Sequence, residues 1–162
     1  MTDLDFIKVA NELAWQSAKN GFDSFAALLV LNGEIKAKSS DKCILYSDPT
    51  AHAELALISD YCRENQLIDL ENYILYSNVE PCVMCSGAIH WAKISKVVFG
   101  LSQQDLQKKS GGKPKPSCDA IVNIGGKKIE VLGPIATDLC KAVFEAFPFS
   151  SKKEKHRRFY SK

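Results

Sequence analysis

No stretch of this 162-residue chain approaches the ~18 consecutive apolar residues of a membrane span. The N-terminus, MTDLDFIKVANEL, also lacks a basic start followed by an apolar stretch; it is acidic and amphipathic and does not read as a signal peptide. Internal repeats are missing, and so is a large charge of one sign, the formal net charge being +2. The segment SKKEKHRRFYSK (151–162) carries six basic residues and one acidic, which leaves the rest mildly acidic and gives only weak support for a nucleic-acid surface. Cysteine is not scarce, at six, but without a secretion signal a reducing compartment is the better assumption and no disulfide framework is expected. What remains is a cytoplasmic protein of ordinary composition, 46% apolar and 25% charged, with no membrane partner and a length suited to one core.

The apolar pattern orders the chain. Phe6, Val9, Ala10, Leu13 and Ala14 form a stripe on a helix over 4–20, opposite Lys8, Glu12, Gln16 and Lys19, with Gly21 as its stop. FAALLVL (25–31), then Asn32-Gly33, then EIKAKS predicts a buried strand, a tight turn and a second strand. Asp48-Pro49 predicts an N-cap and first helical residue, opening a helix from Thr50 to about Cys62 with Leu55, Ala56 and Ile58 inward. NYILYSN (72–78) is the next strand, Pro81 opens a helix to about Lys93, and KVVFGL (96–101) is a third buried strand. Strand, helix, strand in succession implies parallel crossovers added to the hairpin, hence a mixed sheet with helices on both faces. Residues 102–126 read as a long Gly/Pro/Lys-rich loop with at most one short helix. KKIEVLG supplies a last strand, and 135–147 a last helix with Leu139, Ala142, Val143 and Ala146 inward.

Two short segments carry chemistry. His52, Cys82 and Cys85 offer one nitrogen and two sulfurs, and a catalytic zinc site takes three protein ligands and leaves a fourth position for water. Both segments start helices after strands, so a parallel sheet brings them to its carboxyl edge. Zinc lowers the pKa of a bound water from 15.7 toward about 7, and a neighbouring carboxylate, Glu54, can carry the proton. That pair suits attack on an electron-poor ring carbon that bears an amine, with ammonia as leaving group. Taken singly the parts are weak: Cys-x-x-Cys can be a redox pair, half of a structural site or coincidence. A structural zinc site would want a fourth protein ligand, and Cys43, Cys62, Cys118 and Cys140 stand alone, as small core or loop residues do.

The joint pattern, H-A-E, 26 residues, then P-C-V-M-C, is the H-x-E…P-C-x-x-C signature of zinc deaminases. At these residues the chain resembles the cytidine-deaminase-like superfamily, over nearly its whole length. The resemblance implies a three-layer α-β-α fold around a five-stranded mixed sheet, zinc held by His52, Cys82 and Cys85, Glu54 as proton shuttle, and a homodimer. Within the superfamily, DPTAHAE and EPCVMCSGA look like both guanine deaminases and tRNA adenosine deaminases. GAIHWA (87–92) resembles the guanine branch and would place Trp91 on the base pocket; SFAALLV (24–30) does the same for Phe25; the tail RRFYSK would make Tyr160 a lid residue; and Asp119 resembles a loop aspartate of that branch. Each has a plain alternative, as a core or solvent residue. Both branches usually carry asparagine where this chain has Asp41, and an ionised aspartate accepts hydrogen bonds but donates none. Facing a pocket, Asp41 would select a ring N–H or an amine and would be costly if unpaired; otherwise it is solvated.

The reading is a zinc-dependent deaminase domain over 1–150 and a basic tail over 151–162 that can act as a lid. The substrate is guanine or a related base, with pterins and triazines open. The alternatives are a tRNA adenosine deaminase, whose partner is tRNA, and a zinc-stabilised binding module without turnover.

Overall fold

The computed structural model describes residues 1–110, 115–126 and 128–161. In chain order the elements are α1 (Asp3–Lys19), β1 (Ala26–Leu31), β2 (Glu34–Ser40), α2 (Cys43–Tyr46), α3 (Ala53–Asn65), β3 (Ile74–Val79), α4 (Val83–Trp91), β4 (Lys96–Leu101), α5 (Gln103–Ser110), α6 (Cys118–Val122), β5 (Glu130–Leu132), α7 (Thr137–Ala146) and α8 (Lys152–Tyr160). The strands form one five-stranded sheet in the order β2-β1-β3-β4-β5. β1 is antiparallel to both neighbours, and β3, β4 and β5 are mutually parallel. The chain through α3 therefore returns β3 in the direction of β2, with β1 between them, and the chain through α4 sets β4 beside β3. No helix among the described residues is long and apolar enough to cross a membrane.

Two apolar clusters cover the two faces of the sheet. One joins Leu29, Leu75 and Val97 to Leu57 of α3, Ile89 of α4 and Val122 of α6; the other joins Leu28, Tyr76 and Val98 to Phe6 and Ile7 of α1 and Val143 and Phe144 of α7. This is the expected three-layer arrangement, and the hairpin turns where expected, because Asn32 and Gly33 both take the positive φ (52° and 77°) that such a turn requires.

Several local expectations need correction. α3 begins at Ala53 with His52 as N-cap, not at Thr50, because the Asp48 carboxylate is spent on a tight local turn, accepting from both the amide (2.8 Å) and the hydroxyl (2.7 Å) of Thr50. The inward stripes are rotated: α1 buries Ile7, Asn11, Ser17 and Ala18 in place of Val9 and Leu13, and α7 buries Cys140 and Phe144 while Leu139 is exposed. Polar residues can face inward on α1 because Ser17 donates to Asp23 O (2.8 Å) and Asn11 to Leu139 O (3.2 Å). The segment after β4 is not one long loop. Ser102 and Asp105 exchange bonds at the start of α5 (Asp105 N to Ser102 Oγ 3.0 Å, Ser102 Oγ to Asp105 Oδ2 2.8 Å), which satisfies helix-start groups that its polar sequence did not advertise. Part of the segment, 111–114, lies outside the described residues.

The tail is helical and lies against the chain's own surface. His156 Nε2 meets Ser47 Oγ at 2.8 Å, Tyr160 donates to Leu45 O at 2.8 Å, and Lys155 reaches Asp23 at 2.6 Å.

Candidate active site

At the carboxyl edge of the sheet, β2, β3 and β4 end while β1 begins, and four chain segments converge there. His52 and Cys82 are the N-caps of α3 and α4, with extended backbone, so each side chain leaves at the mouth of a helix. Neither uses its side chain as a cap, which leaves the ring and the sulfur available. Cys85 sits one turn into α4 and is fully buried. Ligand atoms of His52, Cys82 and Cys85 lie within 4.8 Å of one another, and Cys82 Sγ is 3.5 Å from His52 Nδ1.

The electrostatics favour a thiolate at this corner. The bond from the Cys85 thiol, with help from His52, pushes Cys82 down to about 3 against the cost of burial. Cys85 moves far above the ordinary thiol range, first through its bond to Cys82 and then through burial. His52 is pushed up, chiefly by Cys82. One nitrogen and two sulfurs converging at two helix N-termini suit tetrahedral zinc with one open position.

Glu54 is buried on the second turn-residue of α3, and burial is the largest influence raising its pKa. Ser77 of β3 donates to Glu54 Oε1 at 3.0 Å and so fixes the carboxylate. Its neighbour Asn78, fully buried, accepts from Ala26 N (2.9 Å) and donates to Ser24 O (2.9 Å), which fastens the start of β1 to β3. Ser77 and Asn78 escaped the sequence reading, although two polar residues in an otherwise apolar strand were a usable signal.

Around this corner lies a cavity of about 280 Å³. Phe25, Leu106 and Phe149 give apolar wall; Asp41, Glu80, Gln103, Lys115 and Lys152 give polar wall. Glu80 holds the wall in place: its carboxylate accepts from Gln103 N (3.0 Å) and Cys118 N (2.9 Å), at the starts of α5 and α6. Phe25 lines the cavity and is packed on Phe144 and Phe149.

Asp41 also reaches the cavity but is neither solvated nor unpaired. Its side chain is 2% exposed; Oδ1 accepts from Cys43 N (3.1 Å) and Oδ2 from Lys152 Nζ (3.0 Å). Asp41, Cys43 and His52 also lie close enough to bind a metal, but Lys152 Nζ stands 3.0 Å from Asp41 Oδ2 and 3.1 Å from Cys43 Sγ, so that position already holds a cation. Burial lowers the Lys152 pKa, yet Asp41, Cys43 and Asp23 outweigh it and hold the ammonium above the ordinary lysine value.

Three expected residues are not brought to the cavity. Trp91 is 82% exposed at the far end of α4, since six residues beyond Cys85 turn the helix to another face. Asp119 is exposed on α6, where it accepts from Asn123 Nδ2 at 2.9 Å. Tyr160 is 55% exposed and bonded to Leu45 O, and the tail residue at the cavity is Lys152 instead.

Comparison with known proteins agrees with this geometry. The chain is 33% identical over 141 residues to a probable cytosine deaminase of Schizosaccharomyces pombe, covering 84% of this chain and 86% of that protein. It is 31% identical over 160 residues to a tRNA-specific adenosine deaminase of Buchnera aphidicola, covering 99% and 96%. The solved structure of guanine deaminase from Bacillus subtilis superposes with a TM-score of 0.64 at 27% identity, covering 93% of this chain and 97% of that one. The model of the cytidine and deoxycytidylate deaminase zinc-binding region matches residues 1–101, the stretch that contains His52, Glu54, Cys82 and Cys85. The chain therefore belongs to the cytidine and deoxycytidylate deaminase zinc-binding family, and its cofactor is zinc.

Proposed function

We propose that this chain hydrolytically deaminates a free amino-substituted heterocycle, guanine or a related base, with His52, Cys82 and Cys85 as zinc ligands and Glu54 as proton carrier. His52, Cys82 and Cys85 would hold the zinc, whose chemistry there would be to acidify a water to a pKa of about 7. Glu54, held by Ser77, would take a proton from the attacking water and deliver it to the ring nitrogen beside the amine-bearing carbon. Oxygen adds to the carbon, the amine receives a proton, and ammonia leaves; the sum is water plus amine giving oxo product plus ammonia. The burial that raises the Glu54 pKa suits it to accept and release a proton in turn.

The observation that favours a small base is the wall over the site. The cavity is about 280 Å³, just below the ~300–1,000 Å³ typical of ligand pockets. Lys152 and Phe149, from the C-terminal part, stand on its rim, so we infer that the tail acts as a fixed wall of the site. Two lysines that a tRNA reading would assign to phosphates are instead engaged: Lys152 with Asp41 and Asp23, Lys155 with Asp23. The tRNA reading retains the nearly full-length similarity to the Buchnera protein and the remaining basic residues of α8.

The deciding experiment is ammonia release from guanine, guanosine, adenine, cytosine, cytidine, pterins and a tRNA carrying adenosine at the wobble position. Turnover of a free base at a rate well above that of the tRNA is expected; activity on tRNA alone would overturn the proposal.

A further inference from the structure

Glu80 lies between the end of β3 and Pro81, two residues before Cys82, and its bonds run to one stretch of chain. Its amide donates to Leu101 O at the end of β4 (2.8 Å), and its carbonyl accepts from Gln103 Nε2 (3.1 Å). The two carboxylate oxygens are divided between helix starts: Oε2 accepts from Gln103 N (3.0 Å) and Oε1 from Cys118 N (2.9 Å). A helix start leaves amides that no carbonyl of its own helix can reach. A carboxylate between two such starts satisfies one amide of each, with the added strength of a charged acceptor. α5 has little apolar anchorage of its own. Leu106 is its single large apolar residue and is only partly buried, whereas α6 sinks Cys118 and Val122 into the core.

What Glu80 holds is one side of the cavity. Gln103, Leu106 and Gln107 of α5 line it, as does Lys115 on the way to α6, and Glu80 stands among them. The strand end before Cys82 therefore does two things at once: its backbone leads into a metal-site thiol, and its carboxylate draws α5 and α6 to the same corner. Among the described residues Glu80 is outside the groups close enough to share a metal ion, and each of its oxygens already accepts from an amide. We propose that Glu80 is the positioning residue of this side of the cavity. It acts through the backbone at Gln103 and Cys118 to set how closely α5 approaches the heterocycle, and so governs affinity and not the chemical step. This rests on the deaminase reading of the same cavity, and it gives the glutamate of EPCVMC a task separate from zinc.

The test separates holding from touching. In the zinc-loaded full chain, Glu80→Gln keeps the length of the side chain but only one acceptor oxygen, so one of the two amides then faces an amino group. For whichever of guanine, cytosine and adenine the parent turns over best, KM should rise roughly 10-fold while kcat stays within about threefold and zinc per chain is unchanged. Hydrogen exchange at the amides of Gln103 and Cys118 should quicken by roughly tenfold, while that of Ala56, in the first turn of α3, stays as it was. Should Glu80→Gln not melt cooperatively, Glu80→Asp, which keeps both oxygens but not the reach, is read in the same way. Leu106→Ala supplies a second arm, since Leu106 reaches the cavity only through α5. If Glu80 acts by holding α5, the two changes together raise KM by clearly less than the product of the single effects. Effects that multiply would make Glu80 an independent contact and overturn the proposal, as would a KM within about twofold of the parent or a fall in kcat with KM unmoved. Equilibrium binding of the same three bases to the zinc-loaded Glu54→Gln chain, with and without Glu80→Gln, separates the two readings. Binding weakened by Glu80→Gln, without turnover of any base by the parent, sinks the deaminase assignment alone. Turnover with a KM that ignores Glu80→Gln sinks the role of Glu80 alone, and no binding of any of the three sinks both.

Discussion

Two corners of one cavity are built in opposite ways. The zinc corner is local: His52 and Glu54 are two residues apart, Cys82 and Cys85 three, and each group sits on a helix N-terminus that aims it. Backbone geometry does the positioning there, and the dipole ends favour the thiolate. The facing wall is assembled at long range from Asp23, Asp41, Lys152 and Lys155, held by ion pairs that close only when α8 docks. The difference separates two jobs. In the proposed function, the chemistry falls on elements that the sheet fixes, while the facing wall draws on a helix from the far end of the chain.

The largest effect should come from the local corner. Cys82→Ser removes the sulfur that the site most favours as thiolate, and metal analysis should fall from about one zinc per chain toward none, with ammonia release at background. Full zinc content in that variant would show that the corner is not the metal site. Next in size is Glu54→Gln, which should keep zinc and melting temperature while turnover falls by roughly 10²–10⁴-fold. A loss of zinc together with turnover would instead make Glu54 a ligand.

Deleting 151–162 tests the other corner, and its signature should be stability more than metal. Asp23 and Asp41 would be left buried without their lysines. Breaking a buried pair costs about 3–5 kcal/mol, but Lys152 is 41% and Lys155 18% exposed, so about 1–3 kcal/mol is the discounted expectation. Calorimetry should then show melting lowered by about 2–10 °C, with zinc per chain unchanged. The pH dependence follows from the raised pKa of Lys152. Its contribution is complete below the unfolded lysine value of about 10.4 and is lost as pH rises through the higher folded value. The melting difference between full and truncated chains should be flat through neutral pH and shrink only in strong alkali; a difference that vanished near pH 7 would implicate another group.

What the sequence revealed follows the same division. Spacing within one helix start is a local property, so the grouping of His52, Glu54, Cys82 and Cys85 was legible, as were the hairpin at Asn32-Gly33 and the mixed character of the sheet. Asp41 was legible as a departure, but its partner lies 111 residues away and no periodicity connects the two. α5 was hidden for another reason. Its sequence QQDLQKKS has a single large apolar residue, Leu106, so a pattern search passes over it, and only Ser102 with Asp105 marked its start. The inward stripes of α1 and α7 were misplaced because buried Asn11, Ser17 and Cys140 count as polar or ambiguous until their partners are known. Trp91 and Tyr160 drew attention as aromatics near a motif, yet which face of a helix meets the pocket depends on packing.

The smallest effect should come from Tyr160, and it sharpens the contrast most. Tyr160→Phe removes one exposed bond to Leu45 O and leaves the ring contacts with His156 and Phe159. Such a bond contributes about 0.5–1.5 kcal/mol at most, and less where water replaces it. Turnover and KM for a free base should therefore stay within about twofold of the parent, whereas Lys152→Met, which alters the cavity wall itself and leaves Asp41 without its cation, should raise KM by more than that. If Tyr160→Phe instead raised KM as strongly as the lysine change, the tail would be acting through its far end as a closing flap. The comparable behaviour of two residues eight positions apart, one on the cavity and one outside it, would mean that α8 moves as a unit, and the facing wall would then be a hinge and not a fixed surface.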